Sequence, residues 1–556
     1  MKHLHRTASL GIALALFTAL TPALADSTTT AGGLVNKGLV GVGRIPAAQR
    51  DKFGETFGSG SGMAIDTSSW THDAGTFKGS LWLLPDRGYN VAGTTDYRPR
   101  LNTIGIEFTP AAPGAAGQGQ TEVKATLTDT MLLTDDKGAN ATGLDPLSDV
   151  RAATGDMPTL PAATNGKLAL DNEAVVRLPD GSMFISDEYG PDIYRFSAQG
   201  RLLSATQPPA ALVPMRKGAP NFSSDNPGPG AAEPDPKDPE TGRQNNQGLE
   251  GMAMTPDGKF LIAVLQSATR QDGGDSGSTR QNTRALVYDA SDLAHLKLAH
   301  EYVVPLPVFK DAKGKTKVAA QSEIVALSDT SFLILARDSG NGQGVKGDTS
   351  LLRQIFVVDV SAATDIAGGP FDAADKPVAP KGVLDPSVTP ARLTPFIDIN
   401  DNAQLNRFGL HNGAPNDHNN LSEKWEAMSL ASVLDPKLPD DYFLFVASLP
   451  RTASRSARPI RPMTAPMSTP CSWSIRSRCR VWPRSNQRDP GGRVYRVRLS
   501  YSDRTVDRGG TYFKNSASFG TPASIGSAVL LDTAMILPAA DRLGRTKTCA
   551  GPLTRL

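Results

Sequence analysis

Cysteine is nearly missing from this 556-residue chain: Cys471, Cys479 and Cys549 are the three present, and none falls in the first 470 residues. The main fold therefore does not depend on a disulfide, and no spacing among the three suggests zinc. The odd count leaves one thiol over. A surplus of one charge is missing too. The net charge of +2 gives no broad pull toward nucleic acid or a membrane surface. No Walker A motif, no H-E-x-x-H metalloprotease motif and no nucleic-acid signature occurs. Beyond the N-terminus no segment approaches eighteen apolar residues, which excludes a membrane-spanning helix in the mature chain. Helical periodicity of useful length is absent outside that first segment, and aromatic residues are only 6%. Gly and Pro are plentiful instead, which suits many turns joining short strands.

The N-terminus reads as an export signal. Lys2, His3, His5 and Arg6 precede an apolar run, Leu10 to Leu20, and Ala23-Leu24-Ala25 supplies the small-x-small cleavage pattern. The run is short for an uncleaved anchor, and no cysteine follows it to make a lipoprotein. Cleavage before Asp26 predicts a periplasmic or secreted chain of about 530 residues. Residues 26–37 read as a flexible start and 38–500 as the folded body.

Five copies of one unit run along that body: an apolar strand, a turn, and a second strand ending in polar residues. The clearest is Asp171-Asn172-Glu173-Ala174 to Leu178, Pro179-Asp180-Gly181, then Met183 to Ser186 ending at Asp187-Glu188-Tyr189. Gly248-Leu249-Glu250-Gly251 opens the next, which turns at Pro256-Asp257-Gly258 and ends at Gln266-Ser267. Ser322-Glu323 opens one that ends at Arg337-Asp338, and Trp425-Glu426-Ala427 opens one that ends at Ala447. A degenerate early copy runs from Gly60 to Ile65 and from Ser80 to Asp86-Arg87. Asp-Gly between apolar runs is hairpin chemistry. Third strands follow at Ile193–Phe196, Ala285–Tyr288 and Ile355–Val358. This order predicts an all-β β-propeller, and the gaps leave room for a sixth blade. A two-sheet sandwich is the rival. Long loops, Pro208 to Gln247 above all, read as insertions on one face.

Glu173, Glu250, Glu323 and Glu426 open the same strand of their repeats, so a propeller brings four carboxylates to one end of its axis. Like charges held together raise one another's pKa unless a cation intervenes. A hard oxygen-ligated ion, Ca²⁺ first, fits them, with Asp86, Asp187 and Asp338 as further ligands. Alternatively, each Glu accepts hydrogen bonds from a neighbouring blade or pairs with an Arg. Weaker signals read as ordinary structure. Gly58-Ser59-Gly60-Ser61-Gly62 has Gly where a nucleophile elbow needs Ser. Asp398 to Asn402 lacks the Gly and Glu of a calcium loop. His411 and His418 sit in an Asn-rich loop.

Together, Pro85-Asp86-Arg87-Gly88-Tyr89, Asp171 to Val175, Ser186 to Gly190, Gly248 to Gly251 and Trp425-Glu426-Ala427 resemble the phytase-like family described as "esterase-like activity of phytase". The resemblance covers about residues 38 to 448, with a last strand at 494–499. It implies an exported hydrolase of phosphate or carboxylic esters. Apart from the resemblance, the expected partner is a small-molecule ester, with no nucleic acid, and the expected state is a monomer. In such an enzyme Glu173, Glu250, Glu323 and Asp187 would hold Ca²⁺, Arg87 and Arg337 would hold phosphate, and Glu188 would take a proton from water. A lactonase or carboxylesterase with one central Ca²⁺, and a non-catalytic binding propeller, are the alternatives. Residues 449–487 break the resemblance. They are crowded with Arg, Ser and Pro and hold no Asp or Glu. A local frame shift explains this better than a basic insertion, because both flanks fit the family. The tail from 501 to 556 carries no readable pattern.

Overall fold

A computed structural model describes residues 29–449, apart from 32, 47–48, 58, 88–92, 113, 229 and 339–348. These residues fall in one of the two compact units of the chain, 1–457 with 527–556. The second unit, 458–526, lies outside the described residues, as do the signal segment, the three cysteines, residues 450–487, the expected strand at 494–499 and the tail. Among the described residues no helix is long and apolar enough to cross a membrane.

The Asp-Gly turns form as their chemistry requires. Gly181 and Gly258 take φ of +82° and +74°, and Asp180 Oδ1 accepts from the Ser182 amide at 2.9 Å. Five antiparallel sheets result, each a chain-order meander. Sheet one holds β1 (Gly62–Ile65), β2 (Thr76–Leu84), β3 (Arg100–Phe108) and β4 (Val123–Leu132), and Thr71–Asp73 also pairs with β2. Sheet two holds β5 (Asn172–Arg177), β6 (Met183–Asp187), β7 (Ile193–Phe196) and β8 (Leu202–Thr206). Sheet three holds β9 (Leu249–Met254), β10 (Phe260–Leu265), β11 (Asn282–Asp289) and β12 (Lys297–Pro305). Sheet four holds β13 (Ala320–Ala326), β14 (Ser331–Arg337), β15 (Arg353–Asp359) and β16 (Arg392–Asp398). Sheet five shows β17 (Lys424–Ser432) and β18 (Tyr442–Leu449) among the described residues.

The first strands of the sheets neighbour one another in a closed ring: β1, β5, β9, β13, β17 and back to β1. This is a β-propeller. The ring closes on five sheets, so the sixth blade is not formed among the described residues. The five repeats are the five sheets, and the extra chain length goes into loops. Five apolar clusters fill the five sheet-to-sheet interfaces. Between sheets five and one the packing is aromatic. Phe443 meets Phe77 and Phe108 edge-on at 4.7 and 5.1 Å, and Phe445 meets Trp70 at 5.9 Å. Trp70 Nε1 also donates to the Ser432 carbonyl at 2.8 Å.

At the axis the first strands approach so closely that two glycines are required. A Cβ on Gly62 would stand 2.4 Å from the Glu173 carbonyl oxygen, and one on Gly251 2.8 Å from the Ile324 amide nitrogen. Outside the axis, a buried ion triad pins the loops to sheet three. Arg284 lies between Asp272 at 2.8 Å and Glu301 at 2.7 Å, all three fully buried. Asp272 Oδ1 in turn accepts from the amides of Val378 and Ala379. Replacing Arg284 by Met strands two buried carboxylates. Urea denaturation should show Arg284→Met less stable by about 3–5 kcal/mol.

Candidate functional site

The carboxylates converge because of β-bulges. In four of the five first strands the register with the second strand slips by one residue at the repeat's polar position. A bulge leaves one residue unpaired and re-aims it. In β9 that residue is Glu250, between Leu249 and Gly251; in β17 it is Glu426, between Trp425 and Ala427. In β5, Glu173 and Ala174 together face Ser186. In β13 the unpaired residue is Ser322, between Gln321 and Glu323. Glu323 is thus one position out of step with Glu250 and Glu426, and its Oε1 accepts from the amides of Ile324 at 2.9 Å and, on the neighbouring blade, Met252 at 3.2 Å. This is the alternative role open to any repeated Glu, and Glu323 is not among the three carboxylates that come together.

Two further expected ligands, Asp187 and Asp338, accept from backbone or loop donors. Asp187 accepts from the amides of Asp171 at 2.6 Å and Gly190 at 3.0 Å. Asp338 accepts from Ser350 Oγ at 2.6 Å and the Leu351 amide at 2.8 Å. Asp86 is buried beside Arg87 and adds to the field on it.

Asp171, Glu173 and Glu188 come together instead. One oxygen from each lies within 4.8 Å of the others, and all three residues are buried. Glu250 acts on both Glu173 and Glu188 as the largest neighbouring charge. Burial first, then Glu250, Glu188 and Asp171, push the Glu173 carboxyl well above its usual range. Burial, then Glu250 and Asp171, do the same to Glu188 against the pull of Arg87 and Lys424. Burial and Glu426 push Glu250 up to about 8, although Arg337 and Lys424 oppose them. Glu188 Oε1 and Glu250 Oε2 are buried without a hydrogen-bond partner.

The cations of the site are committed to two other acids. Arg87 pairs with Asp171 at 2.7 Å and donates to Ser224 and Asn246, and its guanidinium lies 5.6 Å from the Tyr189 ring. Arg337 pairs with Glu426, which Lys424 also reaches at 3.2 Å and Ser61 Oγ at 3.3 Å. Burial alone would neutralise Glu426, yet Lys424 and Arg337 hold its pKa below the usual value. Glu173, Glu188 and Glu250 make no ion pair with any described residue. Five acids thus face three cations, and an oxygen-only pocket for a hard cation is what the excess of charge suits.

Sequence reading missed Asp171, Lys424 and Ser61. Asp171 stands two residues before Glu173 across the bulge, and that Asp-x-Glu spacing was the available signal. The histidines stay ordinary. His411 contacts the Gly413 carbonyl and Asp417 within its own loop, and His418 offers its carbonyl to Arg44. Asp398 and Asp401 accept local amides, and Asp401 caps the single-turn helix α1 (Asn402–Leu405).

Comparison with known proteins agrees with the sequence resemblance. The family model "Phytase-like: Esterase-like activity of phytase" matches residues 56–406. A protein described as an uncharacterized secreted protein, from Arthroderma benhamiae, is 40% identical over 426 residues, which is 72% of this chain and 82% of its own length. Among solved structures, a luciferin-regenerating enzyme aligns at 10% identity with a TM-score of 0.23, over 73% of this chain and 87% of its own. Hydrazine synthase from Kuenenia stuttgartiensis aligns at 10% identity and 0.21, over 67% and 80%.

One buried acid beside the site gives a pH test. Asp192 is fully buried, its one side-chain partner is the Tyr194 hydroxyl at 3.4 Å, and burial lifts its carboxyl to about 8. The folded state keeps this proton where the unfolded chain has lost it. Its contribution is therefore intact below the unfolded carboxyl pKa and is lost as pH rises to about 8. Asp192→Asn should match the native chain in stability near pH 4 and exceed it by roughly 1–3 kcal/mol at pH 9, measured by urea unfolding at both.

Proposed function

The chain belongs to the phytase-like family, and we propose that it is an exported hydrolase that cleaves phosphate esters at the axial carboxylates with the help of a hard divalent cation, Ca²⁺ first. The observation that supports this is the buried group of Asp171, Glu173 and Glu188, whose oxygens lie within 4.8 Å of one another next to a guanidinium. The residues fit such an ion. They offer only oxygen, one of them is a buried carboxylate oxygen without a partner, and Ca²⁺ completes six to eight ligands with carbonyls and water. When bound, the ion supplies positive charge for phosphate oxygens and lowers the pKa of water.

This chain's own residues would do the rest. Arg87, fixed by Asp171, Ser224 and Asn246, holds its guanidinium against the acids, and Arg337 and Lys424 are held there through Glu426. Guanidinium groups of this kind would take phosphate oxygens by charge-assisted hydrogen bonds. Glu250 is the better proton acceptor. Glu188 and Glu250 both keep an unpartnered oxygen, but Glu188 belongs to the ligand group, whereas Glu250 lies outside it with its carboxyl pushed up to about 8. A second reading, a lactonase or carboxylesterase with a single ion, is favoured by one observation. Among the described residues there is one three-carboxylate group, and each of the three cations is already paired.

The deciding assay follows phosphate release from phytate and from a phosphodiester, beside hydrolysis of an aliphatic lactone, with Ca²⁺ and with chelator. Glu173→Gln should abolish the response to Ca²⁺. Glu250→Gln should lower turnover by about 10²–10⁴-fold. Glu323→Gln should leave the Ca²⁺ response in place. Lactone turnover without phosphate release would select the second reading, and no hydrolysis by folded protein would end both.

A further inference from the structure

Past the carboxylates, the later residues of all five first strands line a cavity of about 590 Å³. Its wall is apolar and adaptable, with Met63, Met252, Met254 and Met428 contributed by three of the strands and Val175 and Ile324 by the others. None of the acids of the functional site lines it. Its volume falls in the range of about 300–1,000 Å³ that takes small organic ligands. Unbranched thioether side chains fit flexible aliphatic guests better than rigid ones.

One cation stands at this cavity. Arg177, the last residue of β5, lines it with its guanidinium 4.5 Å from the Trp82 ring. Arg177 forms no ion pair with a described residue, and its Nε is buried without a hydrogen-bond partner. The acids that act on it, Asp66 and Asp180, have other partners: Asp66 takes Ser68 Oγ at 2.6 Å, and Asp180 pairs with Arg195 at 2.9 Å. Asp440 also lines the cavity but is exposed to solvent, where its charge is screened.

We propose that this chamber is a second ligand site, separate from the ester-cleaving acids, and that it binds an unbranched aliphatic carboxylate, a fatty acid, with its chain among the methionines and its carboxylate on Arg177. A planar guanidinium matches a carboxylate with two parallel N–H donors. Apart from a weak hydrogen bond from Nη1 to Met183 Sδ at 4.0 Å, the guanidinium meets no acceptor among the described residues, and a single cation without an ion pair suits a monoanion. Burial of each methylene of the chain adds about 0.8 kcal/mol.

The test is calorimetric titration of the full mature protein with dodecanoate and, separately, with dodecanol. Dodecanoate should bind one per chain and more tightly than the alcohol. Arg177→Gln should weaken dodecanoate by roughly tenfold or more while leaving dodecanol unchanged. Met254→Trp, which fills the chamber from a half-buried position, should abolish both, and Val176→Trp is the second filling variant should the first not fold. Absence of dodecanoate binding, or binding that survives a folded chamber-filling variant, would overturn the site. Equal affinity of acid and alcohol in the native chain would overturn the role of Arg177.

Discussion

The excess of buried negative charge at the propeller axis is the constraint that the surrounding structure answers to. A lone ion in a protein interior is costly enough that the group gives up its charge instead. Two of the five acids are paired directly, Asp171 with Arg87 and Glu426 with Arg337 and Lys424. The other three have no such partner, and burial and mutual repulsion push each toward the protonated form. The loop between β8 and β9 packs against the site through Arg87. Arg243, fully buried, ties it down by donating to the carbonyls of Tyr189, Phe222 and Ser223. Arg87 is held from the same loop by Ser224 and Asn246. Packing of this kind excludes water, which strengthens the charge interactions beside it. The acids and this loop therefore make sense together.

Which acids take part is decided by register. Side chains alternate along a strand, so a one-residue slip sends a residue to the other face. The bulge falls on Glu250 and Glu426 but on Ser322 in the fourth sheet. In a linear reading, Glu323 and its counterparts look equivalent because each precedes the same apolar run. The bulge is set by pairing with the second strand, which no single strand reveals. Glu323 is then best placed to take an amide from β9, and it joins two blades at the point where Gly251 lets the backbones meet.

What was legible in the sequence follows the range of the forces involved. Turns, strand pairs and the radial repeat come from neighbouring residues, and Pro-Asp-Gly with flanking apolar runs specifies them locally. Glu173, Glu250 and Glu426 could be found because repetition carries them to the axis. Blade number depends on how tightly the ring closes, and the long loops gave spacing without saying whether it held another sheet. Partners such as Lys424 for Glu426, or Asn246 for Arg87, depend on loop paths and have no repeat to mark them. The amide donors to Asp187 and Asp338 likewise come from turns and loops that no repeat marks.

The fifth sheet shows where the axis ends in the chain. Its first strand brings Lys424 and Glu426, and its second brings Phe443 and Phe445 to the seam with sheet one. All four precede residue 449, so among the described residues the ring of first strands closes, and the three-carboxylate group forms, before the Arg-, Ser- and Pro-rich stretch begins. The second strand of sheet two ends in Asp187, with Glu188 next in the chain, whereas the fifth ends in Ser448-Leu449 without an acid. The three-carboxylate group draws nothing from that position, since it comes from sheet two and the turn that follows β6. An altered reading frame after residue 449 would therefore spare the candidate ion site and act on whatever the outer part of the fifth blade contributes.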